Sequence, residues 1–462
     1  MSLWKLGVRD ETLSTLYNMN KKAVIQVKTP VGISNKFSQE TIVKQGTVSG
    51  PPMCSTSTAE FAALNKVRGF PIGNFNINTI ILVDDILNAN SAPDDVITSH
   101  KNMEDFSHLK RLPVNGRKCF LLPINAKEPC KIPCLKFEGI RMEVVDLVLY
   151  LGNIFSSKGD NKEKIKDRVN KAKTCMIESI SLCSEITLGI YIVQSLLLAQ
   201  SMMFIPTLLF GAQTWTNLTV EDTKLIKTSQ LQFLKRILRA PSSACNSITF
   251  LELGVLPAQY EIHIMKLTFL HHILTLEEDD PVKLVYMEQL KTPEEKNWAN
   301  EVQNLRSMYE IKVTDVEISE LSKDEWKAMV SNVVKEQAII SLNEEKNCLS
   351  KSSSFPDAEC FQPSKYLFHF TVSRACLLFR VRSRIINIKD VQRYKFGDDQ
   401  SCRVCGDAEE TIDHVLTECS ALTRQQVGVG DEYSEDLEVL DRVIQRVEEF
   451  QDAVEEEEEA GE

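Results

Sequence analysis

A chain of 462 residues, 43% of them hydrophobic, is long enough for two to four domains with real cores and too apolar to be disordered throughout. The net charge of −12 is localised: residues 431–462 carry fifteen Asp/Glu against two Arg, which leaves the first 430 residues near +1. The acidic balance therefore describes a tail and does not exclude nucleic-acid binding by the body.

In chain order, residues 1–20 have Leu3, Leu6, Leu13, Leu16 and Tyr17 at helical spacing. The opening MSLWKLGVRDET carries charges where a secretory leader needs an apolar run. With thirteen cysteines, an odd number, this points to a reducing intracellular setting, nucleus or cytoplasm. Clustered cysteines then read as metal ligands before disulfides. AVIQVKTPVG reads as strand and turn, and residues 39–67 as strand or loop followed by a helix. GFPIGNFNINTIILVDDILNA reads as a hairpin with Asp84 and Asp85 at or near its turn. Asp94 and Asp95 follow Pro93 and read as the cap of a helix that closes before Pro113. Residues 114–155 alternate short apolar runs with Pro and Gly and predict several short strands. Within them, Cys130-x3-Cys134 has no partner pair nearby and reads as ordinary buried cysteine.

From about residue 162 to 345 the periodicity is almost wholly helical. It includes LGIYIVQSLLLAQSMMFIPTLLF (188–210), long enough to cross a bilayer but interrupted by Gln194, Ser195, Gln200, Ser201 and Pro206. A buried core helix is the expectation there, with no membrane association. Residues 347–364, rich in Ser with Pro356 and Pro363, read as a linker, and AVEEEEEAGE as a solvated, partly disordered end.

Near the C-terminus stands Cys402-x2-Cys405-x8-His414-x4-Cys419. Two cysteines two apart form a thiolate pair on a knuckle, with Gly406 supplying its tight backbone. His414 and Cys419 are expected on one face of a following helix, completing a closed tetrahedral Zn2+ shell with a structural role. Upstream, residues 365–396 hold Lys365, Arg374, Arg380, Arg382, Arg384, Lys389, Arg393 and Lys395 against one acid, Asp390, interleaved with aromatics such as Tyr366, Phe370 and Phe396. Cations suit phosphates and aromatic faces suit unpaired bases, so this segment is the predicted nucleic-acid contact.

An Asp pair after an apolar strand is by itself a turn more often than a metal site. Its neighbours change that: Gln45-Gly46 lies one helix and one hairpin before it, Asn115-Gly116-Arg117-Lys118 one helix after it, then Tyr150-Leu151-Gly152, then PTLLFGAQTW. This ordered set, with the Cys3His knuckle behind it, resembles the reverse transcriptase of non-LTR (LINE-like) retrotransposons over roughly residues 1–425. The resemblance implies an RNA-directed DNA polymerase whose partners are an RNA–DNA template–primer and dNTPs. Asp84 would be a Mg2+ ligand, Asp85 would support it, Gln45 and Gly46 would position template and nucleotide, and Lys118 would assist pyrophosphate departure. Two departures stand against full activity. Leu82 and Val83 replace the usual aromatic and small residue before the pair, and the family's earlier metal-binding aspartate is expected upstream of the helix that opens this chain. The fingers are missing too, so the resemblance implies a truncated, incomplete polymerase. The alternative is a non-catalytic nucleic-acid-binding or scaffold protein using the basic segment and knuckle.

The predicted fold is α+β. It comprises a partial palm sheet with packed helices (1–155), a helical thumb-like region (156–275), a helical acidic extension (276–346), a linker (347–364), the basic segment with zinc knuckle (365–425) and the acidic tail (426–462).

Overall fold

In the computed structural model the described residues are 4, 7–20, 23–39, 50–125, 133–186, 192–349 and 352–461. They divide into two compact units, residues 1–148 with 156–159, and residues 149–155 with 160–462.

The first unit is a set of hairpins and helices. Helix α1 (Asp10–Asn20) precedes β1 (Ala23–Ile25), β2 (Lys28–Thr29), β3 (Gly32–Ile33) and β4 (Phe37–Gln39), with β1 paired antiparallel to β4 and β2 to β3. Helix α2 (Gly50–Leu64) leads to the hairpin β5–β6 (Phe70–Ile72, Phe75–Ile77) and then β7–β8 (Thr79–Leu82, Asp85–Asn88). Helix α3 (Pro93–Lys110) follows. Asp94 and Asp95 do not cap it: Ala92 is the cap position, Pro93 opens the helix, and the two acids occupy the first turn, where they complement the helix dipole. A single turn of 3-10 helix, Gly116–Lys118, precedes β9 (Phe120–Leu121). β10 (Lys136–Phe137), β11 (Ile140–Arg141) and β12 (Glu143–Val144) are equally short. β13 (Leu147–Tyr150) and β14 (Asn153–Ser156) form the last hairpin, within which the boundary between the two units falls.

Every sheet among the described residues has two strands, so the strands are present but the expected multi-stranded palm sheet is not. Two- to four-residue strands cannot bury a sheet face alone. What packs instead is a small core of Phe61, Met103, Phe106, Leu135, Phe137 and Met142 between α2, α3 and the hairpins. Buried Asn65 ties these elements: its amide donates to Thr79 (3.0 Å) and Ser99 (2.9 Å), and its carbonyl accepts from Asn102 (3.0 Å). Cys134, expected buried, is exposed, and Cys130 lies outside the described residues.

The second unit is helical, as the periodicity predicts. Helices α4 (Lys162–Ile186), α5 (Ile192–Ala199), α6 (Ile205–Leu208), α7 (Val220–Ile237), α8 (Asn246–Leu253) and α9 (Ala258–Leu274) are followed by α10 (Pro281–Leu290), α11 (Trp298–Met308), α12 (Asp315–Glu320) and α13 (Lys323–Asn347). The apolar segment is broken by a π-helical turn at Gln200–Phe204, and no described helix is long and apolar enough to cross a membrane. Capping boxes at Thr219, Thr314 and Ser322 start α7, α12 and α13, each satisfying two otherwise orphaned N–H groups.

One core runs through α9 to α13 around Trp298 and Trp326. A larger one joins α4 to α9 with the C-terminal helices α14 (Tyr366–His369), α15 (Val372–Arg382) and α17 (Leu437–Gly461). The short α16 (Arg393–Phe396) lies between the last two.

Two expectations change here. The segment read as a linker is packed: Phe355 is buried, the Ser364 N–H donates to the Glu252 carbonyl (2.9 Å), and Pro363 lies against Gly254. Gly254, left-handed at φ 61°, ends α8 at a point where a Cβ would collide with the Pro363 backbone. The acidic tail, expected to be partly disordered, contains α17, whose Leu440, Val443, Ile444, Val447, Phe450 and Val454 enter the large core at helical spacing. Only its end, residues 455–459, projects five exposed glutamates.

Candidate metal centre

The knuckle forms as its residues require. The Cys402 N–H donates to the Ala408 carbonyl (2.7 Å), the Gly406 N–H donates to the Cys402 carbonyl (2.9 Å), and Gly406 takes φ 73°. Ser401 and Glu409 bridge across its base. The second ligand pair departs from expectation in a chemically necessary way. In an α-helix a residue five positions on lies about 140° around the axis, so His414 and Cys419 would face apart. The chain instead winds a π-helical turn, His414–Glu418, closed by the Cys419 N–H donating to the His414 carbonyl (2.8 Å). The wider turn brings both ligands to one side.

The ligand atoms of Cys402, Cys405, His414 and Cys419 all lie within 4.8 Å of one another, with Cys405 Sγ 3.3 Å from His414 Nε2. A tetrahedral Zn2+ with bonds of about 2.3 Å to sulfur needs ligand separations of about 3.8 Å, so the four fit with a small contraction. Cys402, His414 and Cys419 are buried and Cys405 stands at the rim. Burial pushes the Cys419 thiol up to about 12 and raises that of Cys402, so a bound divalent cation is what makes thiolates favourable here. With four protein ligands the shell is closed, which suits a structural metal.

Around the ligands are residues that motif reasoning passes over. Arg403, between the two knuckle cysteines, is bound to fully buried Glu410, whose carboxylate also accepts from the Lys389 and Arg403 N–H groups. Arg403 also reaches Glu458 on α17 (3.1 Å). Fully buried Arg446 of α17 donates to the carbonyls of Val415 (2.9 Å), Cys419 (2.9 Å) and Arg424 (2.6 Å). Its sequence signal is a lone cation on an apolar face, three residues after Val443 and four before Phe450.

Asp84 and Asp85 form a different kind of feature. The pair Leu82–Asp85 closes the β7–β8 hairpin over a two-residue turn, Val83–Asp84, and both carboxylates are exposed. Val83 takes φ 58°, a left-handed conformation that suits Asn or Gly far better than a β-branched residue. Its carbonyl accepts from the Thr58 hydroxyl of α2 (2.8 Å). Cys54, also on α2, has its thiol pushed up by burial and by the charge of Asp84. Among the described residues no third carboxylate, histidine or cysteine joins the pair. Lys118 ends the Gly116–Lys118 turn with its side chain exposed, and among the described residues it pairs with neither aspartate. Gln45 and Gly46 lie outside the described residues.

The basic segment is folded into α14 to α16, and most of its cations already have carboxylate partners. Buried Arg382 pairs with fully buried Glu252 amid the rings of Phe355, Tyr366 and Tyr433. Arg384 meets both oxygens of Asp413 at 3.0 Å, and Arg374 pairs with Asp441 (2.8 Å) and Glu448 (3.2 Å) of α17. Lys389 pairs with Asp399 (2.8 Å) and exposed Lys365 with Glu435 (2.7 Å). Arg380 differs: it donates to the Arg239 carbonyl (2.8 Å), and among the described residues no carboxylate pairs with Arg380, Arg239 or Arg236. Lys395 is exposed beside Phe396, and the Arg393 side chain lies outside the described residues. The segment predicted as the nucleic-acid contact thus holds Arg382 and Lys389 in its interior and pairs Arg374 and Arg384 with acids of the same chain.

No protein-family model matches this chain, and no curated protein matches it.

Proposed function

We propose that the chain derives from a non-LTR retrotransposon reverse transcriptase and acts on nucleic acid, with Asp84 and Asp85 as carboxylates that faced Mg2+ in the parent site. The carrying observation is the hairpin tip, which presents two adjacent, exposed carboxylates on a turn anchored to α2 through Thr58 and Val83. In two-metal nucleotidyl transfer such carboxylates bridge the ions that activate a primer hydroxyl and neutralise the triphosphate. Two octahedral Mg2+ ions need more oxygen ligands than one aspartate pair supplies, so this chain alone is expected to be inactive. Primer extension on poly(rA)/oligo(dT) with Mg2+ or Mn2+ tests this. No extension is expected, whereas robust extension abolished by Asp84→Ala overturns the inactivity. Absence of salt-dependent binding to an RNA–DNA duplex overturns the nucleic-acid reading itself.

A second reading, a non-catalytic nucleic-acid-binding protein, is favoured by the group Arg236, Arg239 and Arg380, which carries positive charge without a carboxylate partner among the described residues. For single-stranded RNA, removing one cation that neutralises a phosphate should flatten the log–log salt slope by about 0.7. Alanine at Arg236 or Arg239 should do this while leaving the fold intact. An unchanged slope in both variants removes these residues from the interface.

A further inference from the structure

A closed Zn2+ shell of three thiolates and one neutral imidazole carries a net charge of −1, and a buried charge without a counter-charge is costly. In the same interior lies Arg446, fully buried on α17, a cation whose hydrogen bonds all go to neutral carbonyls. Among the described residues no carboxylate lies within ion-pairing distance of it. The carboxylate near enough to act on it is Glu449, and Glu449 is committed to the loop after the ligands, accepting from the Thr423 and Arg424 N–H groups and the Thr423 hydroxyl. Two of the three carbonyls Arg446 holds belong to the π-helical turn and its closing ligand, Val415 and Cys419. Each centre thus lacks what the other supplies.

We propose that Arg446 is the built-in counter-cation and positioning residue of the metal centre, so that docking of α17 and binding of the metal form one cooperative event. It rests on Zn2+ occupying the Cys3His cluster, and not on the polymerase or nucleic-acid reading. The guanidinium fixes the turn that presents His414 and Cys419 and offsets the charge that three thiolates leave on the ion. The pairing also accounts for an arginine on the apolar face of α17, where a leucine would pack without a desolvated charge.

The test is a double-variant cycle on the full chain, reading Zn2+ affinity by competition with a chromophoric chelator and folding by circular dichroism. Arg446→Gln, which keeps two donors but no charge, should weaken Zn2+ binding at least tenfold. Cys405→His at the rim makes the centre Cys2His2 and electrically neutral. In that background the same Arg446→Gln change should cost less than threefold, because no net charge remains to be offset. Equal losses in the two backgrounds would overturn the charge role and leave Arg446 a packing residue. Should Arg446→Gln not fold, Arg446→Lys decides. It retains the charge with altered donors and should bind Zn2+ within threefold of the parent chain, and a lysine variant weakened tenfold or more contradicts the proposal. If the parent chain binds no Zn2+ at all, it is the metal centre that fails, a distinct outcome.

Discussion

The two units place their chemistry in opposite settings. In the first, Asp84 and Asp85 stand in solvent on a hairpin backed by a core of six buried residues. In the second, Cys402, His414 and Cys419 are buried in a core that also takes in α4 to α9 and α17. The first arrangement can lose or change its acids with little consequence for folding. The second cannot, because ligands, turn and C-terminal helix share the same interior. A metal site whose whole ligand set comes from one compact segment is part of the fold, whereas a pair of exposed carboxylates is a site only when other ligands join it.

The contrast predicts its largest difference at the ligands. Cys419→Ser should destabilise the second unit by on the order of 5 kcal/mol or more, read as a lower unfolding midpoint and loss of bound metal. Asp84→Ala should leave the midpoint within about 1 °C of the parent. Equal effects from the two substitutions would erase the distinction between the units.

Next in size are the ion pairs of the basic segment. Arg382→Ala strands fully buried Glu252 and should cost about 3–5 kcal/mol. Lys365→Ala breaks only the exposed pair with Glu435 and should not change stability measurably. A large effect of Lys365→Ala would mean that the exposed pair with Glu435 contributes as much as a buried one.

The second unit's other core carries a pH dependence. His263 Nδ1 and the Tyr309 hydroxyl share a short hydrogen bond (2.6 Å), and burial, with Lys266 nearby, holds the His263 pKa down to about 4. The unfolded chain takes up a proton near pH 6.5 that the native imidazole refuses. Stability is therefore full above about 6.5 and falls as the pH drops toward 4, by on the order of 2–3 kcal/mol. Denaturant midpoints measured across that range should flatten in His263→Gln. Unaltered pH dependence in that variant would place the sensitivity elsewhere.

Smallest is the turn at Val83. A β-branched residue at φ 58° is strained, and Val83→Gly should stabilise the first unit by about 1 kcal/mol if the hairpin register is Leu82 opposite Asp85. A destabilisation instead would indicate a different turn.

Much of this contrast was legible in the residues. The Cys3His spacing located the ligands, the apolar run ending at Asp84 and Asp85 located the hairpin, and periodicity located the helices of the second unit. Three things were hidden for physical reasons. The −13 charge of residues 431–462 masked the apolar stripe of α17, because a net count does not register which face the acids occupy. The basic segment looked free because its partners, Glu252, Glu432, Asp441 and Glu448, come from distant parts of the chain. The expected sheet failed because strands of two to four residues indicate local pairing without specifying which edges meet. The π-helical turn was foreseeable from the i, i+5 spacing, since an α-helix cannot bring such residues together.

The central claim is that the Cys3His cluster holds one structural Zn2+ on which the C-terminal helix depends. Elemental analysis of the purified full chain, coupled to amide hydrogen exchange over α17 before and after chelation, tests it directly. One Zn2+ per chain, with protection of the buried positions from Leu440 to Val454 lost when the metal is removed, is the predicted result. A chain without metal, or one whose α17 stays equally protected after chelation, would contradict it.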